Sequence, residues 1–315
     1  MSEGHDDLAA PGESPVFSVR DAVQLGEALG LDRRDIAVLL GDVLDRNRAW
    51  LIAHDDHALT ADESARWREA AMRRADGEPV AYIVGCKEFH GLPLRVSPAV
   101  LVPRPETEIL VDLAFGAIDE LSRSKRPIRL LDLGTGSGAI AVACKKARRD
   151  TEVHASDASE AALAVARANA FELGLDIEFR LGSWWEPWIG ERFDLAFCNP
   201  PYVAEEDPHL ALLQHEPRAA LVGGGSGLAA LAEVIRGAAD HLVPGGRLWF
   251  EHGCDQAEAV ARLLSVAGFS GIATHRDLAG LPRCTGGVLE WDRPWANTAA
   301  CRPAPSTAWK RRRRC

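Results

Sequence analysis

Asn199-Pro200-Pro201-Tyr202 follows directly on the apolar run 193–198, and that order of residue types points to a specific chemistry. Proline fixes φ and keeps the residue before it out of the helical region, so the chain leaves the run stiff and extended. Neither proline carries an N–H. The Asn199 side-chain oxygen and the Pro200 carbonyl therefore form two acceptors at a fixed separation, matching the two donors of an NH2 group. Tyr202 offers a flat face to the planar group bearing that nitrogen. An amide or aromatic amine is a poor nucleophile because its lone pair is delocalised. Gripping both N–H groups aims the nitrogen and favours the positive charge that grows on it during attack. Holding it in line at roughly 3–3.5 Å supplies several kcal/mol of the barrier. No ionised base is needed near neutral pH, because the proton becomes acidic only as the new bond forms.

The electrophile must come from a second constellation. Gly134-Thr135-Gly136-Ser137-Gly138 lies between an apolar run and a helical stretch in LLDLGTGSGAIA, and such glycines let a backbone turn sharply against a ligand. Gly134-x-Gly136-x-x-Ala139 fits the dinucleotide fingerprint, with Asp157 near the spacing of a ribose-binding acid. Asp132, two residues before the first glycine, puts a carboxylate at the strand end, beside any cationic amino-acid portion. Together with the alternating G-x-G-x-G, this favours S-adenosyl-L-methionine over a nicotinamide cofactor. In either case Asp157 ends the next strand, where it can accept both ribose hydroxyls; its plainer reading is the N-cap of the helix that follows, a place that Ser159 can fill equally.

These groups need an open sheet to hold them. From residue 128 onward, strand candidates at 128–134, 151–157, 176–182, 193–199, 245–253, 271–277 and 286–291 alternate, through the first five, with helical stretches. Near-continuous apolar strands joined by helices predict a parallel, doubly wound α/β sheet. The short link between the last two predicts an antiparallel pair at its end. Asn199 and the glycine loop then share the carboxyl edge, where such sheets bind ligands. Upstream, 17–78 reads as a small helical bundle, with stops at Gly30 and Gly77 and an N-cap at Thr60. The span 79–105 reads as a β-hairpin linker, with strands in AYIVG and LPLRVS, and 106–292 as the catalytic domain. Residues 1–16 and 293–315, the latter ending in the basic KRRRRC, read as disordered tails.

Bulk properties narrow the function. The 315 residues carry a formal net charge of −10, which argues against a general nucleic-acid binder that works by broad phosphate neutralisation but leaves open a protein partner or one local patch; no stable nucleic-acid partner is expected. Seven scattered cysteines without a C-x-x-C pair suggest neither disulfides nor a zinc site and favour a reducing cytoplasm. The acidic N-terminus is not a signal peptide, no apolar run reaches membrane-spanning length, and nothing demands more than a monomer.

Several separate segments carry a resemblance: GEPVAYIVG, EFHGLPLRVSPAVLVPRPETE, LLDLGTGSGAIA, ASDASEAALAVARANA, NPPYV, HEPRAALVGGGSGL and LVPGGRLWFEHG. From Val19 to Trp291 the chain resembles the peptide-chain release factor N5-glutamine methyltransferases (the PrmC/HemK family). The pairing of PRPETE with NPPY is the specific feature, since generic methyltransferases share the glycine loop and sometimes NPPY. The resemblance implies a Rossmann-like class I methyltransferase sheet and S-adenosyl-L-methionine as cofactor. It implies as substrate the glutamine of a Gly-Gly-Gln loop in class 1 release factors, with the helical bundle docking the partner. It also assigns the loop Gly134–Gly138 to the cofactor's methionine portion, Asp157 to ribose and Trp184 to the border of adenine. Asn199 through Tyr202 match the glutamine-binding motif, with Asn199 also bordering the cofactor. One departure is Ser183-Trp184, where many relatives carry Asp-Trp. The alternative within methyl transfer is an adenine-N6 enzyme on DNA or RNA, whose exocyclic amine presents the same two donors. His252, Cys198, Arg104 and Glu106 are read as structural: core or strand residues in the first two cases, braces in the last two.

Overall fold

The computed structural model describes residues 17–121 and 127–290; both expected tails and Trp291 lie outside the described residues. The bundle comprises α1 (Val19–Ala28), α2 (Arg33–Leu44), α3 (Arg48–Ala53) and α4 (Ala61–Ala75). Capping boxes start α1 (Ser18 with Asp21) and α4 (Thr60 with Glu63), satisfying amides that the first turn leaves unpaired. Its core gathers Ile36, Leu39, Leu40, Trp67 and Ala71. Full burial of each large apolar side chain contributes about 1.5–3 kcal/mol.

The linker departs from expectation. AYIVG does not form a strand; Val80–Val84 is a short helix, α5, closed by Gly85 in the left-handed region at φ 77°. A five-residue apolar run has no periodicity of its own to separate helix from strand, so the surroundings decide. Val80, Ile83 and Val84 pack on the bundle core, while Ala81 and Tyr82 pack with Val96, Val100 and Val102. That i, i+3, i+4 division is helical, and it lets five residues seal two cores at once. The Tyr82 hydroxyl also donates to the Val100 carbonyl. The hairpin exists one step later, as β1 (Cys86–Phe89) against β2 (Leu92–Arg95).

The main sheet consists of β3 (Arg129–Leu133), β4 (Glu152–Asp157), β5 (Glu178–Leu181), β6 (Phe193–Cys198), β7 (Leu242–Glu251), β8 (Phe269–Arg276) and β9 (Pro282–Leu289), in the order β5-β4-β3-β6-β7-β9-β8. The first five are parallel, and β9 runs antiparallel to both β7 and β8. Alternate strand residues feed two cores. Leu130, Leu195, Phe197 and Trp249 face α6 (Glu108–Leu121) and α7 (Ala139–Ala147), with Ala170 of α8 (Glu160–Glu172) in the same core. Leu131, Ala196, Leu248 and Phe250 face α10 (Ala229–His241) and α11 (Ala257–Val266); the four-residue α9 (Arg218–Leu221) precedes them. β3 lies between β4 and β6, so the strand order reverses there and opens a crevice at the carboxyl edge. Leu133 pairs with Cys198, so the glycine loop and Asn199 leave the sheet side by side.

Candidate functional site

A cleft of about 390 Å³ opens at that reversal. Its wall includes Gly134, Thr135, Gly136 and Ser137 after β3, Asp157 at the end of β4, and Ser183 and Trp184 after β5. Asn199 and Pro201 after β6 also line it, with Arg104 and Thr107 from the segment before α6 and Pro217, Ala219 and Ala220 from the segment around α9. Gly138 lies behind the wall, as the residue preceding α7. Pro200 and Tyr202 do not contribute to the wall.

The loop is tied down through β4. The Gly134 and Thr135 amides donate to the Ser156 carbonyl at 2.9 and 3.0 Å, and the Gly136 amide donates to Asp157 Oδ2 at 2.9 Å. Gly134 is favoured on two counts: its φ is 72°, and a Cβ there would stand 3.1 Å from the Trp184 ring, so that the ring would have to give way. Trp184 itself adopts φ 47°, rare for an aromatic residue, with its carbonyl accepting from the Ser156 hydroxyl at 3.0 Å. Strain of that kind persists where surrounding contacts over-determine it, and here it stands a flat ring over the glycine loop.

The acidic residues divide their work. Asp157 Oδ1 accepts the Ser159 amide and Oδ2 the Gly136 amide, both at 2.9 Å, so each oxygen keeps a lone pair for a neighbouring pair of hydroxyls. Burial raises its pKa, while those amides and that of Ala158 lower it. Ser159, not Asp157, caps α8. Asp132 departs from expectation: it is 1% exposed and is absent from the cleft wall. Its Oδ2 accepts from the Thr135 hydroxyl at 2.6 Å and from the Ala141 amide at 3.2 Å. Being next to last in β3, its side chain lies beneath the loop and braces it from below. Burial pushes its pKa up to about 7, and its Oδ1 has no hydrogen-bond partner among the described residues.

Asn199 sits half-buried, and its Nδ2 donates to Thr107 Oγ1 at 3.2 Å. The Thr107 hydroxyl donates in turn to Glu251 Oε2 at 2.6 Å, and the Tyr202 hydroxyl donates to Glu251 Oε1 at 3.0 Å. Among the described residues no hydrogen bond engages Asn199 Oδ1 or the Pro200 carbonyl, the two acceptors read from the sequence. Glu251 is 1% exposed at the end of β7, and burial raises its pKa against the lowering effect of its two hydroxyl partners. The backbone after Asn199 rests on a glycine-rich segment: Val203 donates to the Leu221 carbonyl and Gly223 to that of Val203, at 2.9 and 3.0 Å. Gln256 Nε2 donates to the Tyr202 carbonyl at 3.0 Å.

The remaining candidates fall as expected. His252 is fully buried, engaged with Thr285 Oγ1 at 2.7 Å and the Gly253 carbonyl at 2.8 Å, and burial lowers its pKa. The buried Cys198 thiol is pushed up by desolvation, the opposite of a nucleophile's need. Arg104 pairs with Glu216, whose other oxygen accepts the Val102 amide at 3.0 Å, so HEPRAAL clamps the linker to the site. Sequence reasoning missed Thr107, Glu251, Glu216 and Gln256. The clue to Glu251 was an acid ending an apolar strand, beside the histidine that drew attention instead.

The residues fit S-adenosylmethionine. Asp157 suits a vicinal diol, Trp184 suits an aromatic base, and a Cβ on Gly136 would enter open space in the cleft. Among the described residues no cluster of three metal-ligating side chains occurs, and no helix is long and apolar enough to cross a membrane.

Comparison with known proteins identifies the family. Residues 22–85 match the PrmC N-terminal domain and 117–252 the methyltransferase small domain. A release factor glutamine methyltransferase of Bordetella pertussis is 47% identical over 263 residues, spanning 82% of this chain and 96% of its own. That of Escherichia coli is 39% identical over 270 residues, spanning 85% and 96%. Among solved structures, the hMettl16 catalytic domain in complex with a MAT2A 3'UTR hairpin superposes with a TM-score of 0.51. It is 14% identical over 73% of this chain and 81% of its own, a likeness of fold alone. Nearly full-length identity to such relatives, with both domains present in order, establishes that the chain belongs to the release factor glutamine methyltransferase family.

Proposed function

We propose that this protein transfers the methyl group of S-adenosylmethionine to the side-chain amide nitrogen of the glutamine in the Gly-Gly-Gln loop of class 1 release factors. The observation carrying this reading is Asn199, whose amide oxygen is left open beside the glycine loop while its NH2 is held by Thr107. When bound, the cofactor supplies an electrophilic methyl on a sulfonium sulfur. The Asn199 oxygen and the Pro200 carbonyl accept the two N–H groups of the glutamine carboxamide and fix its nitrogen for in-line attack. Both acceptors bind more tightly as positive charge develops on that nitrogen, so they stabilise the transition state above the ground state. Tyr202 does not line the cleft; its hydroxyl, anchored on Glu251, fixes the far end of the tetrapeptide that carries these acceptors. In this reading the helical bundle docks the release factor, and the protein acts as a monomer in the cytoplasm.

Mass spectrometry of the Gly-Gly-Gln peptide, after incubation of release factor with enzyme and cofactor, should show a single added methyl on glutamine. An unmodified peptide alongside labelled duplex DNA or RNA would favour the adenine-N6 reading, which the match over residues 22–85 and the relatives' identities do not support. Asp157→Ala should weaken cofactor binding at least about tenfold, since each hydrogen bond to a charged acceptor contributes about 1.5–3 kcal/mol. Calorimetry with S-adenosylhomocysteine measures this; unchanged affinity would remove Asp157 from the ribose site.

A further inference from the structure

Asn199 can grip a substrate amide only if its oxygen, not its nitrogen, faces the cleft. An asparagine side chain is nearly symmetric in shape, so packing alone does not choose between the two orientations. The choice is made by a hydrogen-bond chain that begins at the end of the neighbouring strand, β7. Each oxygen of the buried Glu251 carboxyl group accepts one hydroxyl hydrogen, from Thr107 at 2.6 Å and from Tyr202 at 3.0 Å. A threonine hydroxyl has a single hydrogen. Once that hydrogen is committed to Glu251, Thr107 Oγ1 can only accept, and the Asn199 group facing it must be the NH2.

We propose that Glu251 and Thr107 are positioning residues for methyl transfer, which set the direction of the Asn199 carboxamide and anchor the Tyr202 ring through one shared carboxylate. This rests on the function proposed above and extends it to residues that neither the Asn-Pro-Pro-Tyr motif nor the glycine loop contains. Glu251 reaches the substrate through others: its oxygens are spent on Thr107 and Tyr202, and it is absent from the cleft wall. Thr107 lines the cleft, but its hydroxyl is turned to Asn199 and Glu251.

The polarity of the chain makes the idea testable. In Glu251→Gln the amide can accept from one hydroxyl but must present its NH2 to the other. Where that NH2 meets Thr107 it donates into Oγ1, the threonine hydrogen turns back to Asn199, and the Asn199 carboxamide flips. The expected result is a fall in kcat of about tenfold to a hundredfold, with cofactor affinity and the KM for release factor within about threefold and Tm nearly unchanged, because the substitution is isosteric. Thr107→Val, close in shape but without a hydroxyl, should lose kcat similarly, and Thr107→Ser should recover most of that loss. Adding Glu251→Gln to Thr107→Val should cost less than it does in the wild type, since its main route is already cut.

Wild-type kcat in both Glu251→Gln and Thr107→Val, or a Thr107→Ser variant as impaired as Thr107→Val, would overturn the proposal. So would activity losses that merely track losses in Tm, which would make the chain a packing feature only. Unmodified release factor with the wild-type enzyme would instead bring down the proposed function. The two failures are therefore distinguishable in one assay series.

Discussion

Asn199→Ala is expected to lower kcat for glutamine methylation by about 10²–10³-fold, the usual consequence of deleting one preorganised group aimed at developing charge. The lost oxygen is one of only two acceptors that fix the nucleophilic nitrogen, and the other, the Pro200 carbonyl, cannot restrain rotation of the amide alone. Cofactor affinity should change by less than about threefold, because Asp157, Trp184 and the glycine loop are left intact. Stability should fall by roughly 1 kcal/mol, the net worth of the hydrogen bond to Thr107. Asn199→Asp should be no better: a carboxylate has no hydrogen for Thr107 and would add a second negative charge near Glu251. Single-turnover methyl transfer with saturating cofactor reads the effect directly. Near-normal turnover in Asn199→Ala would remove the amide oxygen from the mechanism.

That prediction was open to sequence reasoning because Asn199 advertises itself. Two prolines after an apolar run restrict the backbone so severely that the local geometry follows from residue types alone. The sheet was legible for a related reason. β3 and β6 are buried along nearly their whole length and are apolar apart from one aspartate each and the Arg129 that opens β3, and the helices that follow the strands are long enough to show their period. α5 was not legible, because its five apolar residues satisfy two different cores and only the pair of cores reveals the helical spacing. Asp132 was legible as a carboxylate near the loop but not as one beneath it; one residue of register sends a strand side chain to the opposite face.

Thr107 and Glu251 mark the limit of local reading. Thr107 stands 92 residues from Asn199, and Glu251 stands 144 from Thr107. No spacing rule links them; the parallel order β3-β6-β7 brings their carboxyl ends together, and the segment before α6 closes over that edge. A buried acid with two hydroxyl donors is a feature of the assembled sheet. The same edge holds the residue whose alteration should be most damaging after Asn199.

Gly227→Ala should lower methyl transfer by about a hundredfold or more although residue 227 does not line the cleft, the scale expected when reacting groups are misplaced by an ångström. Gly227 has φ 79°, and a Cβ there would stand 2.1 Å from the Tyr202 carbonyl oxygen and 2.8 Å from Gln256 Nε2. Real Cβ contacts do not fall below 3.0 Å, so either the Tyr202 carbonyl or the 223–227 segment must move by close to an ångström. The Tyr202 side cannot yield without moving Pro201 and Asn199, because proline geometry transmits the shift along the loop. Nor can the other side yield freely, since Gly223 is equally close: its Cβ would lie 2.3 Å from the Pro201 carbonyl. Left-handed strain adds roughly 1–2 kcal/mol of destabilisation before any clash. Gly225→Ala is the matched control, with φ 48° but open space around its Cβ: it should carry the strain and lower Tm while retaining most of the activity. The pair, assayed for kcat and Tm together, separates displacement of the Asn199 loop from general destabilisation. Equal activity in the two variants would mean that the glycine segment supports the fold without setting the position of the nucleophile's grip.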